Sequence, residues 1–201
     1  VIWLMPIFPI SETKRKATGG EFASLIEDET EREKMLGSYY AVTDFTKVNP
    51  EFGTLEDFRA LIKTAHENDI YVILDWVPNH TGWDHTWLKT NPEYYTQNEV
   101  GDVIDPINPD TGESWGWQDV ADLNYDNKEM RAEMIEDMLF WITQENIDGF
   151  RCDVASAVPL DFWKDAISKL RAEKEIFMLA EAGEANLLVG TELFDMAYGW
   201  D

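Results

Sequence analysis

Three apolar runs constrain this chain more than anything else in it: "IYVILDWV" at 70–77, "IDGFRCDV" at 147–154 and "IFMLAE" at 176–181. Each is too apolar to be half exposed, and each ends on or beside ionisable residues. Segments of helical period lie between them. "TLEDFRALIKTAHEND" offers Thr54 as an N-cap with Asp57 at the third helical position, a near capping box, and sets Phe58, Leu61, Ile62 and Ala65 on one face. Residues 127–145 place Met130, Met134, Met138, Trp141 and Ile142 at helical spacing, a stripe expected to pack a helix onto a sheet, and 159–173 reads as another helix. Alternating apolar strands and amphipathic helices predict parallel β/α units.

Two architectures fit that rhythm, a (β/α)8 TIM barrel and an open doubly wound sheet. No Gly-rich phosphate loop follows any strand, which argues against the second. Polar groups collect instead at the C-terminal ends of several strands: Asp75 through His80, Arg151 with Asp153, and Glu181. Barrel enzymes build their sites on that face. A whole barrel takes about 250 residues, so 201 residues predict an incomplete one, holding about strands 2 to 6. "VIWLMPIF" at 1–8 reads as a strand buried on both faces, and a last strand is expected from near Leu193. Apolar stretches at both termini suggest a piece of a longer protein, with open sheet edges that favour self-association or covering by further chain. Residues 81–119 lose all periodicity and read as a small inserted loop domain, leaving 1–80 and 120–201 as the partial barrel.

Composition narrows the partners. The net charge is −24, from 40 acidic and 16 basic residues, with no basic stripe, so nucleic acid is excluded as a natural partner. No apolar run approaches a membrane span. The single cysteine, Cys152, allows neither an internal disulfide nor a multi-cysteine metal site, and nothing in the sequence fixes a cell location.

The stretch "DGFRCDVAS" at 148–156 sets Arg151 and Asp153 two residues apart, on one face of a strand, with Cys152 on the other as a packing residue. Glu181 ends the next strand. If the two strands are neighbours, their backbones lie roughly 4.8 Å apart, and two inward carboxyls there could approach the ~5–5.5 Å spacing of a retaining glycosidase pair. On this reading Arg151 keeps Asp153 ionised, and apolar surroundings raise Glu181 so that it holds a proton.

"DWVPNH" (75–80), "GFRCDVAS" (149–156) and "FMLAEA" (177–182) resemble three ordered signature regions of the α-amylase family, glycoside hydrolase family 13. "YAVTDFTKVNPEFGT" (40–54) is similar to the family segment after the second barrel strand, and "ADLN" (121–124) to the return from its inserted domain. The resemblance implies Asp153 as nucleophile, Glu181 as general acid/base and Arg151 as the residue that orients Asp153. It implies that His80 hydrogen-bonds the sugar, that Tyr40 stacks on its ring in preference to the adjacent Tyr39, and that Asp75 is a polar member of the cluster. No cofactor is required by that chemistry. Asn79 matches a position that ligates structural calcium in many members but not all, and Asp122 is read as a second such ligand.

The implied activity is retaining hydrolysis of α-glucosidic linkages in starch-like glucans or maltooligosaccharides. Its alternatives are a transglycosylase or isomerase of the same family, and a non-catalytic carbohydrate-binding relative. Two departures bear on it. A third family carboxylate, in a His-Asp pair after the seventh strand, would lie beyond residue 201, so this piece alone is expected to be inactive. Ser156 and Ala157 also stand where many α-amylases carry Lys-His, which leaves the leaving-group side open. Of the aromatics in the excursion (Trp83, Trp87, Tyr94, Tyr95, Trp115, Trp117), most are expected to pack its own core, and one or two at best to line the cleft.

Overall fold

The computed structural model describes residues 1–14, 22–33, 35, 37–108, 111–183, 187 and 193–199. In chain order the elements are β1 (Ile2–Leu4), α1 (Glu29–Glu33), α2 (Leu55–His66), β2 (Val72–Trp76), β3 (His80–Gly82), α3 (Thr86–Thr90), β4 (Val120–Asp122), α4 (Lys128–Thr143), β5 (Gly149–Cys152), α5 (Leu160–Glu173), β6 (Phe177–Ala180) and β7 (Met196–Ala197). Five of the strands form one parallel sheet in the order β1-β2-β5-β6-β7. Helix α2 lies between β1 and β2, α4 between β2 and β5, and α5 between β5 and β6, and the sheet is part of a (β/α)8 barrel. The remaining two strands, β3 and β4, pair antiparallel on either side of the long excursion.

Local chemistry explains where the helices start. At α2 the Thr54 side chain accepts from the Asp57 amide and the Asp57 carboxylate accepts from the Thr54 amide at 2.8 Å, so the near capping box read from sequence is a complete one. At α4 the Asn127 side chain caps the Met130 amide at 2.9 Å. Met130, Met134 and Met138 are fully buried, and each such side chain contributes on the order of 1.5–3 kcal/mol. Trp141 lies against Phe8 and Phe58 while its indole N–H donates to the Phe45 carbonyl at 2.7 Å, which satisfies its one polar group.

Every residue of β2 and β5 is buried, as the apolar runs require. Gly149 opens β5 with φ 148°, and a Cβ there would lie 1.9 Å from the Phe177 carbonyl oxygen. Only glycine lets β5 and β6 approach at that point.

The first apolar run departs from expectation. β1 pairs with β2 alone among the described residues, and Ile2 and Trp3 are 39% and 42% exposed. Its composition suits burial on both faces, but an edge strand lacks the neighbours that would provide it. The last strand begins at Met196, later than Leu193; Leu193 and Phe194 are buried ahead of it, and residues 200–201 of that stretch lie outside the described residues. No helix among the described residues is long and apolar enough to cross a membrane.

Candidate active site

Parallel register brings the strand-end residues together. Asp75 on β2 is the register partner of Arg151 on β5, and Cys152 is the partner of Ala180 on β6. The ladder continues past the strand ends: the Asp153 amide donates to the Trp76 carbonyl at 2.8 Å and the Glu181 amide to the Cys152 carbonyl at 3.0 Å. Asp153 and Glu181 therefore leave adjacent strands at one level. Cys152 faces the opposite way, fully buried, and burial raises its thiol well above the usual range.

Arg151 joins the acids into one cluster. Its Nη1 donates to Asp75 Oδ1 and to Asp153 Oδ1, both at 2.8 Å, and its Nη2 pairs with Glu181 Oε1 at 2.7 Å. The guanidinium is almost wholly buried, with the rings of Trp3, Tyr198 and Tyr40 at 5.2, 5.6 and 6.0 Å. Tyr198 also accepts from Arg151 Nε at 3.3 Å, and the Tyr40 hydroxyl donates to Asp75 Oδ2 at 3.1 Å.

This sharing overturns the charge assignment expected from sequence. Burial pushes Asp153 up to about 7; the Glu181 carboxyl beside it adds to that, and Arg151 only partly opposes it. Burial likewise pushes Asp75 up to about 6 against the pull of Arg151. One cation shared among three carboxylates offsets only part of the cost of burying Asp75 and Asp153 as anions. Nor does Glu181 sit among apolar neighbours. It pairs with Arg151, accepts the Val154 amide at 2.9 Å and keeps a side chain 24% exposed.

The turn that aims these groups is strained. Val154, directly after Asp153, has φ 45° and ψ 43°, a left-handed conformation that a β-branched residue rarely adopts. It lets two successive amides reach Glu181, from Val154 to the carboxylate and from Ala155 to the backbone carbonyl at 3.1 Å. Trp163 on α5 secures the same turn by donating to the Ala155 carbonyl at 3.0 Å.

Asp153, Glu181, Tyr40, His80, Val154 and Trp117 line a cleft of about 310 Å³. A larger hollow of about 560 Å³ lies between β1 and α2, but it is apolar, and its one carboxylate, Asp57, is engaged in the α2 cap. The acid-bearing cleft is the one that brings Asp153 and Glu181 together.

The family model of the α-amylase catalytic domain matches residues 1–178. The chain belongs to the α-amylase family. The match ends short of Glu181, but longer similarities run through that region. Alpha-amylase 3 of Dictyoglomus thermophilum is 31% identical over 200 residues, covering 90% of this chain and 35% of that protein. The alpha-1,4-glucan:maltose-1-phosphate maltosyltransferase of Corynebacterium pseudotuberculosis is 34% identical over 188 residues, covering 90% and 26%. Among solved structures, an alpha-amylase from Lactobacillus plantarum superposes with a TM-score of 0.79 at 36% identity, over 99% of this chain and 44% of that one. The chain thus spans between a quarter and a half of the length of these α-amylase-family proteins.

Of the remaining sequence candidates, His80 and Tyr40 line the cleft, whereas Asn79 and Asp122 are not among its lining residues. His80 is buried, accepts from Asn79 Nδ2 at 3.3 Å and donates to the Tyr40 carbonyl; burial lowers it to about 4, so its ring is neutral at pH 7. Tyr40, rather than Tyr39, is in the cleft; Tyr39 packs on Phe52 at 5.5 Å. Asn79 and Asp122 are brought close by the bond from the Leu123 amide to the Asn79 carbonyl, and burial pushes Asp122 up to about 6. Two side chains supply few of the six to eight oxygens that calcium takes, and no group of three His, Cys, Asp or Glu side chains suited to a metal ion gathers among the described residues. Carbonyl oxygens and water would have to complete a shell there.

Sequence reasoning missed Trp3, Tyr198 and Val154. Trp3 was read as strand packing, Tyr198 as part of a terminal strand, and Val154 as an ordinary strand residue. A backbone reversal at a valine leaves no trace in composition.

Proposed function

We propose that this chain carries the acid pair of a retaining glycosidase acting on α-glucosidic linkages, in starch-like glucans or maltooligosaccharides. The single observation that supports it is the joint grip of Arg151 on Asp153 and Glu181 at the floor of one cleft. Glu181 donates its proton to the glycosidic oxygen as Asp153 attacks the anomeric carbon, the C–O bond breaks, and a β-linked glycosyl-Asp153 ester forms. Water then attacks the same carbon, Glu181 takes its proton, and Asp153 departs as carboxylate, with net retention. Tyr40 and neutral His80 orient the reacting ring, while Asp75 fixes Arg151 from behind.

Burial raises Asp153 to about 7 in the free site, so the reaction runs from molecules in which Asp153 is ionised, and that carboxylate then stabilises the positive charge that develops on the sugar in the transition state. The chemistry needs no cofactor. A calcium ion held by Asn79 and Asp122 would be structural. On this reading the open β1 and β7 edges are covered by self-association or by other polypeptide, and residues 1–201 by themselves are inactive.

Transfer is the second reading, favoured by the similarity to a maltosyltransferase. It shares every step up to the glycosyl-enzyme. A non-catalytic sugar-binding role finds less support, because it has no use for three carboxylates gathered on one buried guanidinium.

In the full-length protein, Asp153→Asn should abolish turnover of maltooligosaccharides, and Glu181→Gln should slow it by about 10²–10⁴-fold. Undiminished turnover in Asp153→Asn would remove the assignment. Product analysis with added acceptor sugar separates hydrolysis from transfer.

A further inference from the structure

Tyr40 belongs to neither a helix nor a strand, so something other than regular structure must hold it at the acids. Its hydroxyl is fixed on Asp75, and the main chain just after it is fixed by two neighbours. On one side the Thr43 amide donates to the Pro9 carbonyl and the Ser11 amide to the Ala41 carbonyl, both at 2.8 Å. On the other the Gly82 amide, at the end of β3, donates to the Val42 carbonyl at 2.7 Å. Residues 41–43 thus run between 9–11 and β3 as the middle ply of three. The contact is tight: a Cβ on Gly82 would lie 2.5 Å from the Ala41 carbonyl oxygen and 2.6 Å from the Ser11 Cβ.

Asp84 fastens the two outer plies. It follows β3 by two residues, and its Oδ2 accepts the Glu12 amide at 2.7 Å, the Thr13 amide at 2.8 Å and the Ser11 hydroxyl at 2.9 Å. Partial burial pushes its carboxyl up, but these bonds and one from the Thr13 side chain hold it below the usual carboxylate range. The adjacent Trp83 tightens the same junction. Lys14 Nζ lies 3.4 Å from its ring centroid, and its indole N–H donates to the Gln118 carbonyl at 3.0 Å. Asp84 itself is not among the residues that line the cleft. The ply it clamps leads directly from Tyr40, and His80, whose ring bonds the Tyr40 carbonyl, opens the neighbouring β3.

We propose that Asp84 is a positioning residue for the glycosidase reaction: by fastening residues 11–13 to the end of β3 it clamps 41–43 and holds Tyr40 against the reacting sugar. This role rests on the glycosidase reading above and adds to it a residue that acts through another. An aromatic side chain on an irregular segment has only its hydroxyl to fix it, and a loose main chain would let the ring tilt away. Misplacing a substrate-orienting group by about 1 Å costs on the order of 10²-fold in rate. A carboxylate oxygen suits the task, because it accepts several donors at once and gives each a charge-assisted bond.

The test uses the full-length protein with maltoheptaose as substrate. Asp84→Ala should lower kcat by about tenfold while KM changes by less than about twofold. Asp84→Asn should restore most of kcat, because the three donors meet one oxygen and an amide oxygen can accept them. In a Tyr40→Ala background, Asp84→Ala should cost at most about twofold more, because the ring it positions is gone. Unchanged kcat with a lower Tm in Asp84→Ala, or a full further loss of about tenfold in the Tyr40→Ala background, overturns the positioning role and leaves the acid chemistry standing. Should Asp84→Ala not fold, Ser11→Ala removes one donor and keeps the carboxylate. Its kcat should then fall by about two- to fivefold, and an unchanged kcat overturns the role. Absence of turnover in the unmutated protein overturns the glycosidase reading and the role of Asp84 with it.

Discussion

Arg151 and Glu181 are joined by a 2.7 Å ion pair, so the cation that holds Asp153 holds the second acid as well. The two acids are therefore not separated into a charged and an apolar environment. They share one donor, and burial raises the Asp153 carboxyl in spite of it.

Arg151 should tolerate no substitute. Arg151→Lys keeps the charge but loses the planar fork that reaches Asp75, Asp153 and Glu181 at once. In the full-length protein kcat/KM should drop by at least about 10²-fold. With Arg151→Met the acidic limb of the pH–rate profile should move upward, because removing a cation disfavours every ionised carboxylate near it. A limb that stays in place would show that the guanidinium does not tune the pair.

The acid cluster should also be visible in stability. Asp153 in the folded chain titrates near 7, whereas an unfolded aspartate titrates near 3.9. Between those values the folded chain holds a proton that the unfolded chain has lost, so this contribution to stability falls as pH rises. The Tm should therefore decline more steeply from about pH 4 to about pH 7 in the wild-type chain than in Asp153→Asn. His80 and His85, lowered to about 4 by burial, act in the opposite sense between about 4 and 6.5, but equally in both proteins. Thermal melts across that range, taken as a difference between the two, isolate the aspartate.

Gly149 should be irreplaceable for folding. A methyl group there would meet the Phe177 carbonyl at 1.9 Å on a backbone with φ 148°. Gly149→Ala should cost at least ~3 kcal/mol, by parting β5 from β6. Denaturant unfolding measures it, and a near-neutral effect would mean that the two strands can separate slightly without loss.

Val154 should show stability and activity moving apart. Left-handed backbone at a valine costs on the order of 1–3 kcal/mol, which glycine would not incur. Val154→Gly should leave the Tm unchanged or higher, while a looser turn aims the amide at Glu181 less well. In the full-length protein kcat should fall by about tenfold with little change in KM. A fall in both Tm and kcat would assign the valine to packing alone.

The alternation of strands and helices, the α2 cap and the buried α4 stripe were legible in the order of residues alone. That order also placed Asp153 and Glu181 at the ends of consecutive strands, because period, cap chemistry and apolar run length are local properties. Parallel register then had few ways to place those two acids except side by side. Their surroundings came from the packing of distant segments. That β1 is an exposed edge, that Trp3 and Tyr198 enclose Arg151, and that one guanidinium serves three carboxylates all depend on groups far apart in the chain. Ionisation follows burial and neighbours in space, and neither can be read from neighbours in sequence.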